Sequence, residues 1–377
     1  MKNIVPIIVQ PKSANFLKNI FSGLRKAAEK SEYELEFIGM NEFVQSIKHR
    51  DNSLVIVIGY RVDWVQETLY TLLLKGFQPI VVNASLSPDM LKYCNGVFLQ
   101  LREGVEQAIK YLCAAGKQCI ALLGANSISL ADHLKEETFQ GFISKHFNEP
   151  ALIFEGSNPL CDCVERFIEA FVEKNIDAVI CSSDTVAIYL MNRMIEDGFK
   201  IPDDLYVIGM GNTRLGQKIA IPLSTIEFDC EELGRQALRL WRYIRRENSK
   251  AHIEVSIPCR FIARASTDNY APSEIEFTSI NEKSLSSGII ESYSEEIYED
   301  DEVKKIIGFE HFLCTCDDTD YRIIEGIMQS KSDEKMTEWL SISDRAIRYR
   351  INKMTKKLGV QNREEIVNII RELQAFN

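Results

Sequence analysis

The sequence has no apolar run near the roughly 18 to 20 residues that a membrane-spanning helix needs, so no bilayer crossing is expected. Its start, Met1-Lys2-Asn3-Ile4-Val5-Pro6, leads straight into a strand-like run without a small-residue cleavage site, so no signal peptide is expected. Ten cysteines are scattered without a C-x-x-C, and five histidines without an H-x-x-x-H. The C-x-C pairs Cys161-Cys163 and Cys314-Cys316 lack two further ligands at zinc-site spacing, so no metal is expected. Cysteines inside apolar runs, such as Cys119 and Cys181, suit reduced thiols in a cytoplasm. There is no G-x-x-x-x-G-K-S/T and no G-x-S-x-G, and G-M-G-N at 209–212 lacks the later glycine of a dinucleotide fingerprint. Neither catalysis nor a cofactor is expected.

Excess positive charge is also missing: the net charge is −11. That figure belongs to one stretch. Residues 270–320 hold fourteen acids and three lysines, so the remainder sums to zero. The stretch reads as a solvated acidic linker or as a small accessory element, with Glu302–Phe312 helical and Phe309, Phe312 and Leu313 packed on a lobe.

What the chain does have is alternation. Short β-rich runs (4–9, 35–38, 54–58, 79–82, 96–99, 119–123, 152–154, 178–181, 205–208, 224–226) are separated by segments of helical period, including 16–30, 63–76, 104–116, 160–174, 185–198 and 231–246. Strand–helix alternation with short connections predicts parallel sheets flanked by helices. Ten strands over some 265 residues predict two α/β lobes rather than one.

The last sixty residues are different. Ser343 to Arg363 holds seven Lys/Arg and one acid. Helices are expected over 321–329, 333–340, 344–358 and 364–373, with Ser343 and Gly359 as caps of the third. Ile347, Ile351, Met354 and Leu358 form an inward stripe, leaving Arg345, Arg348, Tyr349, Asn352, Lys353, Lys356 and Lys357 outside. Clustered cations on a short helix suit duplex DNA. The run L-S-I-S-D-R-A-I-R-Y-R-I-N-K-M-T-K-K-L-G-V-Q-N-R resembles the LuxR/GerE-type helix-turn-helix domain, matching at Leu340, Ile342, Ser343, Ile347, Lys357, Leu358, Gly359, Val360, Asn362 and Arg363. It departs at Ala346, at Tyr349 and in the turn 329–332. The resemblance implies an all-α tetrahelical domain whose third helix enters the major groove, with those seven outer residues as DNA contacts.

The front of the chain resembles the LacI/GalR regulatory domain, of the type 1 periplasmic-binding-protein fold, over about residues 3–267. The resemblance rests on D-A-V-I-C-S-S-D-T from Asp177, on P-L-S-T-I-E-F-D-C-E-E-L-G-R-Q-A from Pro222, on P-C-R-F-I-A-R-A-S-T from Pro258, and on K-G-F-Q-P-I-V-V-N and A-G-K-Q-C-I-A-L-L-G upstream. Here the DNA-binding unit follows the lobes instead of preceding them. The expected layout is a sensing domain over 1–268, with lobe 1 about 1–117 and 228–249 and lobe 2 about 118–227 and 250–268. The acidic stretch over 269–319 and the helix-turn-helix over 320–377 complete it.

The resemblance places a ligand between the lobes, with Asn15, Phe16, Tyr60, Asn83, Ser127, Thr138, Asp184, Asn212 and Phe228 in the cleft. Phe16 can equally be core, and Asp184 a helix cap. Sugar-binding relatives carry Arg where Thr138 stands and Asp-Asp near Met210-Gly211-Asn212. Either the ligand is less polar, or the cleft no longer takes one. The implied function is a cytoplasmic, dimeric transcription regulator whose partners are double-stranded DNA and a sugar or similar small effector. A degenerate sensor or interaction module is the alternative.

Overall fold

The computed structural model describes residues 3–11, 16–29, 31–46, 54–83, 92–126, 128–147, 150–247, 251–268 and 300–376. Two six-stranded sheets form the two lobes. In the first, β1 (Asn3–Val9), β2 (Tyr33–Ile38), β3 (Leu54–Ile58), β4 (Gln78–Asn83), β5 (Asn95–Leu99) and β11 (Glu254–Ile257) run in the order β11-β5-β4-β3-β1-β2, all parallel. In the second, β6 (Ile120–Leu123), β7 (Leu152–Phe154), β8 (Ala178–Cys181), β9 (Tyr206–Met210), β10 (Ser224–Phe228) and β12 (Cys259–Ile262) run in the order β12-β10-β9-β8-β6-β7. Only β12 is antiparallel to its neighbour. The central strands are buried on both faces, which explains their continuous apolar runs.

The helices of the lobes are α1 (Phe16–Ala28), α2 (Met40–Ser46), α3 (Val62–Leu74), α4 (Leu101–Ala114), α5 (Leu130–His146), α6 (Cys161–Lys174), α7 (Asp184–Glu196), α8 (Arg214–Lys218) and α9 (Cys230–Glu247). Helices α1 and α9 cross with backbones touching. A Cβ on Gly234 would sit 2.0 Å from the Ile20 carbonyl oxygen, and one on Gly23 1.9 Å from that of Glu231.

Two lobe boundaries differ from those expected. The chain crosses at about residue 100, not 117. Helix α4 packs on lobe 2, where Tyr111 donates to the Thr267 carbonyl at 3.0 Å and its ring lies 4.6 Å from Phe261. The last crossing falls at Pro258 rather than near 249, because β11 completes the first sheet and β12 the second.

The C-terminal region holds α10 (Asp301–Leu313), α11 (Asp318–Met328), α12 (Asp333–Leu340), α13 (Asp344–Leu358) and α14 (Arg363–Glu372). The last four starts are built by side-chain caps: Asp317 and Asp320 form a capping box for α11, and Ser332, Ser343 and Asn362 accept from the first turns of α12, α13 and α14. Gly359 ends α13 at φ 68°. A continuous apolar core joins the outer layer of lobe 2 (Tyr189, Met191, Leu215) to these helices (Ile306, Phe309, Ile351, Ile370). The stretch 300–316 is therefore a packed element, with Phe309, Phe312 and Leu313 buried. The rest of the expected acidic linker, 269–299, lies outside the described residues.

Candidate nucleic-acid interface and interlobe cleft

Helix α13 turns Ile347, Ile351 and Met354 inward and leaves Arg345, Arg348, Tyr349, Asn352, Lys353, Lys356 and Lys357 exposed, Tyr349 by 70%. Not every cation of the basic run shares that face. Arg350 reaches Asp320 at 2.6 Å and Asp317 at 2.9 Å. Arg363 bonds Asp333 at 3.2 Å and the Lys331 carbonyl at 2.5 Å. The Asp320 backbone N–H, together with the Arg350 guanidinium, holds the Asp317 carboxyl below its ordinary range. Both arginines tie helices together, a role the spacing alone did not reveal. Arg348 lies 3.1 Å from Asp344 and 3.5 Å from Asp333. Arg345, Lys353, Lys356 and Lys357 have no ion-pair partner among the described residues.

The lobes meet edge to edge. Val62 N–H donates to the Ile128 carbonyl at 3.1 Å, and Leu130 N–H to that of Tyr60 at 2.9 Å. Gln10, buried behind this seam, accepts from the N–H groups of Tyr60 and Arg61 at 3.0 and 3.1 Å. Tyr60 is thus buried in the seam, and Phe228 belongs to the apolar core.

On lobe 2 the expected ligand-holding groups are engaged internally. Asp184 is only 1% exposed. Its carboxylate accepts from Thr213 N–H at 2.6 Å, Thr213 Oγ1 at 2.9 Å and Thr225 Oγ1 at 2.7 Å. Burial raises its pKa, and the Thr225 and Thr213 donors oppose that rise. Asn212 donates to Glu227 at 2.6 Å and accepts from Arg264 at 2.5 Å; Glu227 in turn takes Arg260 at 2.6 Å. Thr138 donates back to the Leu134 carbonyl at 2.6 Å. One helical turn earlier, Lys135 is buried (3% exposed) and bonds Asp132 at 2.7 Å and the Ser182 carbonyl at 2.8 Å. Sequence reading missed Lys135; the signal was a lysine one turn from the position where relatives carry arginine. Asn15 and Ser127 lie outside the described residues, as do the side chains of Phe16 and Asn83.

A second missed group is Glu310, a lone acid in the apolar run I-I-G-F-E-H-F-L. It is 2% exposed and accepts from Arg214 N–H at 2.9 Å and Leu215 N–H at 2.5 Å, the unsatisfied donors at the start of α8. Burial lifts its carboxyl to about 7. Asp300 does the same for α6, accepting from Leu160 N–H at 2.6 Å and Cys161 N–H at 3.3 Å.

Among the described residues no three His, Cys, Asp or Glu side chains are grouped to hold a metal, and no helix is long and apolar enough to cross a membrane.

Comparison with known proteins agrees with this architecture. Residues 109–267 match the periplasmic binding protein-like domain. Catabolite control protein A of Staphylococcus epidermidis is 25% identical over 207 residues, 54% of this chain and 61% of that protein. The HTH-type transcriptional repressor PurR of Mannheimia succiniciproducens is 33% identical over 181 residues, 45% of this chain and 51% of its own length. The chain thus spans about half the length of the curated relatives it matches. The solved complex of the transcriptional regulator CelR with cellobiose shares the fold at a TM-score of 0.59 and 13% identity, covering 71% of this chain and 84% of that one. The two-lobed, parallel-sheet fold is that of the periplasmic binding protein-like domain, followed here by an all-helical region.

Proposed function

We propose that the protein is a cytoplasmic, dimeric transcription regulator that binds double-stranded DNA through α13, of LuxR/GerE type. The observation that carries this reading is the sorting of charge on α13. Arg345, Lys353, Lys356 and Lys357 stand exposed on its outer surface with Tyr349 and Asn352 and have no ion-pair partner among the described residues, while Arg350 is neutralised by acids. A helix that needed only solubility would have no reason to keep its cations apart from the acids around it. Exposed clustered cations are what phosphates reward, and aromatic and amide groups beside them can meet base edges. Similar proteins named as a transcriptional repressor and a transcriptional regulator support the same class. Selection of duplexes from a random library by the full chain tests it. Recovery of a consensus site that Arg345→Ala/Lys353→Ala no longer binds is expected; absence of any enriched, salt-sensitive site refutes it.

The effector of such a regulator would be a sugar or a similar small metabolite in the interlobe cleft; the solved CelR structure is a complex with cellobiose. One observation favours a second reading, in which the lobes no longer take a small molecule. Asp184, Asn212 and Thr138 are already hydrogen-bonded within lobe 2, and the lobes are bridged by backbone hydrogen bonds. A thermal-shift screen with cellobiose, glucose and ribose separates the two. A ligand at 100 times its Kd stabilises by about 2.7 kcal/mol, whereas a cleft that takes no sugar gives a flat response.

A further inference from the structure

We propose that the segment 213–220, centred on α8, is the mechanical link between the cleft and the DNA-binding helices. The inference rests on α13 being the DNA reader. Its basis is that one run of eight residues is bonded on both sides. On the cleft side, Thr213 holds the buried Asp184 through N–H and Oγ1 at 2.6 and 2.9 Å, and Gln217 donates to the Asn212 carbonyl at 3.1 Å. On the other side, Arg214 and Leu215 give their N–H groups to Glu310. Arg214 Nη1 reaches the carbonyls of Leu313 and Cys316 at 3.0 and 3.3 Å and the Tyr321 hydroxyl at 3.0 Å. The chain end closes the clamp: Ala220 N–H donates to the Gln374 carbonyl at 2.6 Å, and Phe376 N–H to that of Lys218 at 2.7 Å.

These contacts cannot slide. Moving α8 away from α10 would strand a buried carboxylate and the helix-start N–H groups together, an arrangement that apolar surroundings penalise strongly. Helix α10 shares its core with α13 through Val303, Ile306, Phe309, Ile347 and Ile351. A shift of Asn212-Thr213 at the cleft therefore carries α8, α10 and α13 as one body. Lobe 2 and the DNA-binding helices move together, and the moving joint is the seam between the lobes. Coupling of this kind does not depend on the covalent connection through 269–299.

Native-state hydrogen exchange on the full chain, in rising urea, tests this. Amides of 214–220, 301–313 and 370–376 are expected to merge into one opening unit. In Arg214→Ala, amides of 301–313 and 370–376 should exchange at least about tenfold faster while β8 is unchanged; Glu310→Gln provides a second variant if Arg214→Ala does not fold. Adding a duplex selected by the full chain should slow exchange at 206–228 in the parent and in a chain whose 269–299 is replaced by Gly/Ser of equal length, but in neither point variant. Independent opening of 214–220 and 301–313 overturns the proposal. So does DNA-induced slowing that persists in both variants, or that is lost when 269–299 is replaced. If no duplex is selected, the DNA reading fails, and the shared or separate opening of 214–220 and 301–313 still decides the link.

Discussion

The salt dependence of DNA binding can be worked out from the face of α13. Four cations there, Arg345, Lys353, Lys356 and Lys357, have no ion-pair partner among the described residues. If each meets one phosphate, one unit contributes a slope of about −3.6 in log K against log salt, at about −0.9 per contact. Between 50 and 200 mM salt that slope weakens binding by about 150-fold for each unit bound, so a dimer on two half-sites shows twice the slope. Lys353→Ala/Lys356→Ala halves the slope, leaving a loss of only about 12-fold over the same range. Arg350→Ala is the control. Its guanidinium is tied to Asp317 and Asp320, so it should lower the melting temperature and leave the slope alone. Fluorescence anisotropy of a labelled duplex from the library selection, titrated at four or more salt concentrations, measures both. An unchanged slope in the double variant, or a reduced slope in Arg350→Ala, would show that the sorting of charge on α13 has been misread.

Asp184→Ala should destabilise lobe 2 by about 3 to 5 kcal/mol, because it removes the acceptor of three buried donors; an unchanged melting temperature would contradict the placement of its carboxylate. Lys135→Met should cost about 3 to 5 kcal/mol by removing the ammonium that lies 2.7 Å from the buried Asp132 carboxylate, and adding Asp132→Asn should recover part of that in thermal melts. No recovery would mean the pair is not the source. The docking of the helical region should weaken as pH rises. Glu310, facing Arg214, Cys314 and Asp184, has a folded pKa of about 7 against an ordinary 4.5. A raised pKa gives stability that is complete below about 4.5 and lost as pH climbs through about 7. Urea unfolding at about pH 5 and 7.5 should show this loss in the parent and a smaller one in Glu310→Gln; equal losses would rule Glu310 out as the titrating group.

Strands were the most legible part of the chain, because double-sided burial leaves β-branched runs that no polar residue interrupts, as in Leu54–Ile58. The two that were not read, β11 and β12, are four residues each, flank Pro258 and alternate polar with apolar, so they resemble a loop. Helix α5 was hidden for a different reason. Its buried face carries Asp132, Lys135 and Thr138, so the apolar period that marks a helix is broken at the positions that matter most. The caps of α13, Ser343 and Gly359, were readable because each lies within three residues of what it caps.

The cleft was the least legible part, since its chemistry depends on partners remote in sequence. Asp184 looks like an open carboxylate until Thr213 and Thr225, 29 and 41 residues away, are seen to fill its lone pairs. The same distance effect acts on the basic run, where Asp317 and Asp320 remove Arg350 from the outer face. Thr138 and Lys135 show how far this goes. The residue type that relatives place at 138 is absent, yet a buried cation stands one turn earlier, bonded to Asp132 and to the Ser182 carbonyl at the end of β8. A cation held by its own lobe contributes to that lobe's stability and has little left to offer a ligand. On the proposed reading, the charge available for recognition lies on α13, and the link from the lobes to that helix runs through α8 rather than through the cleft itself.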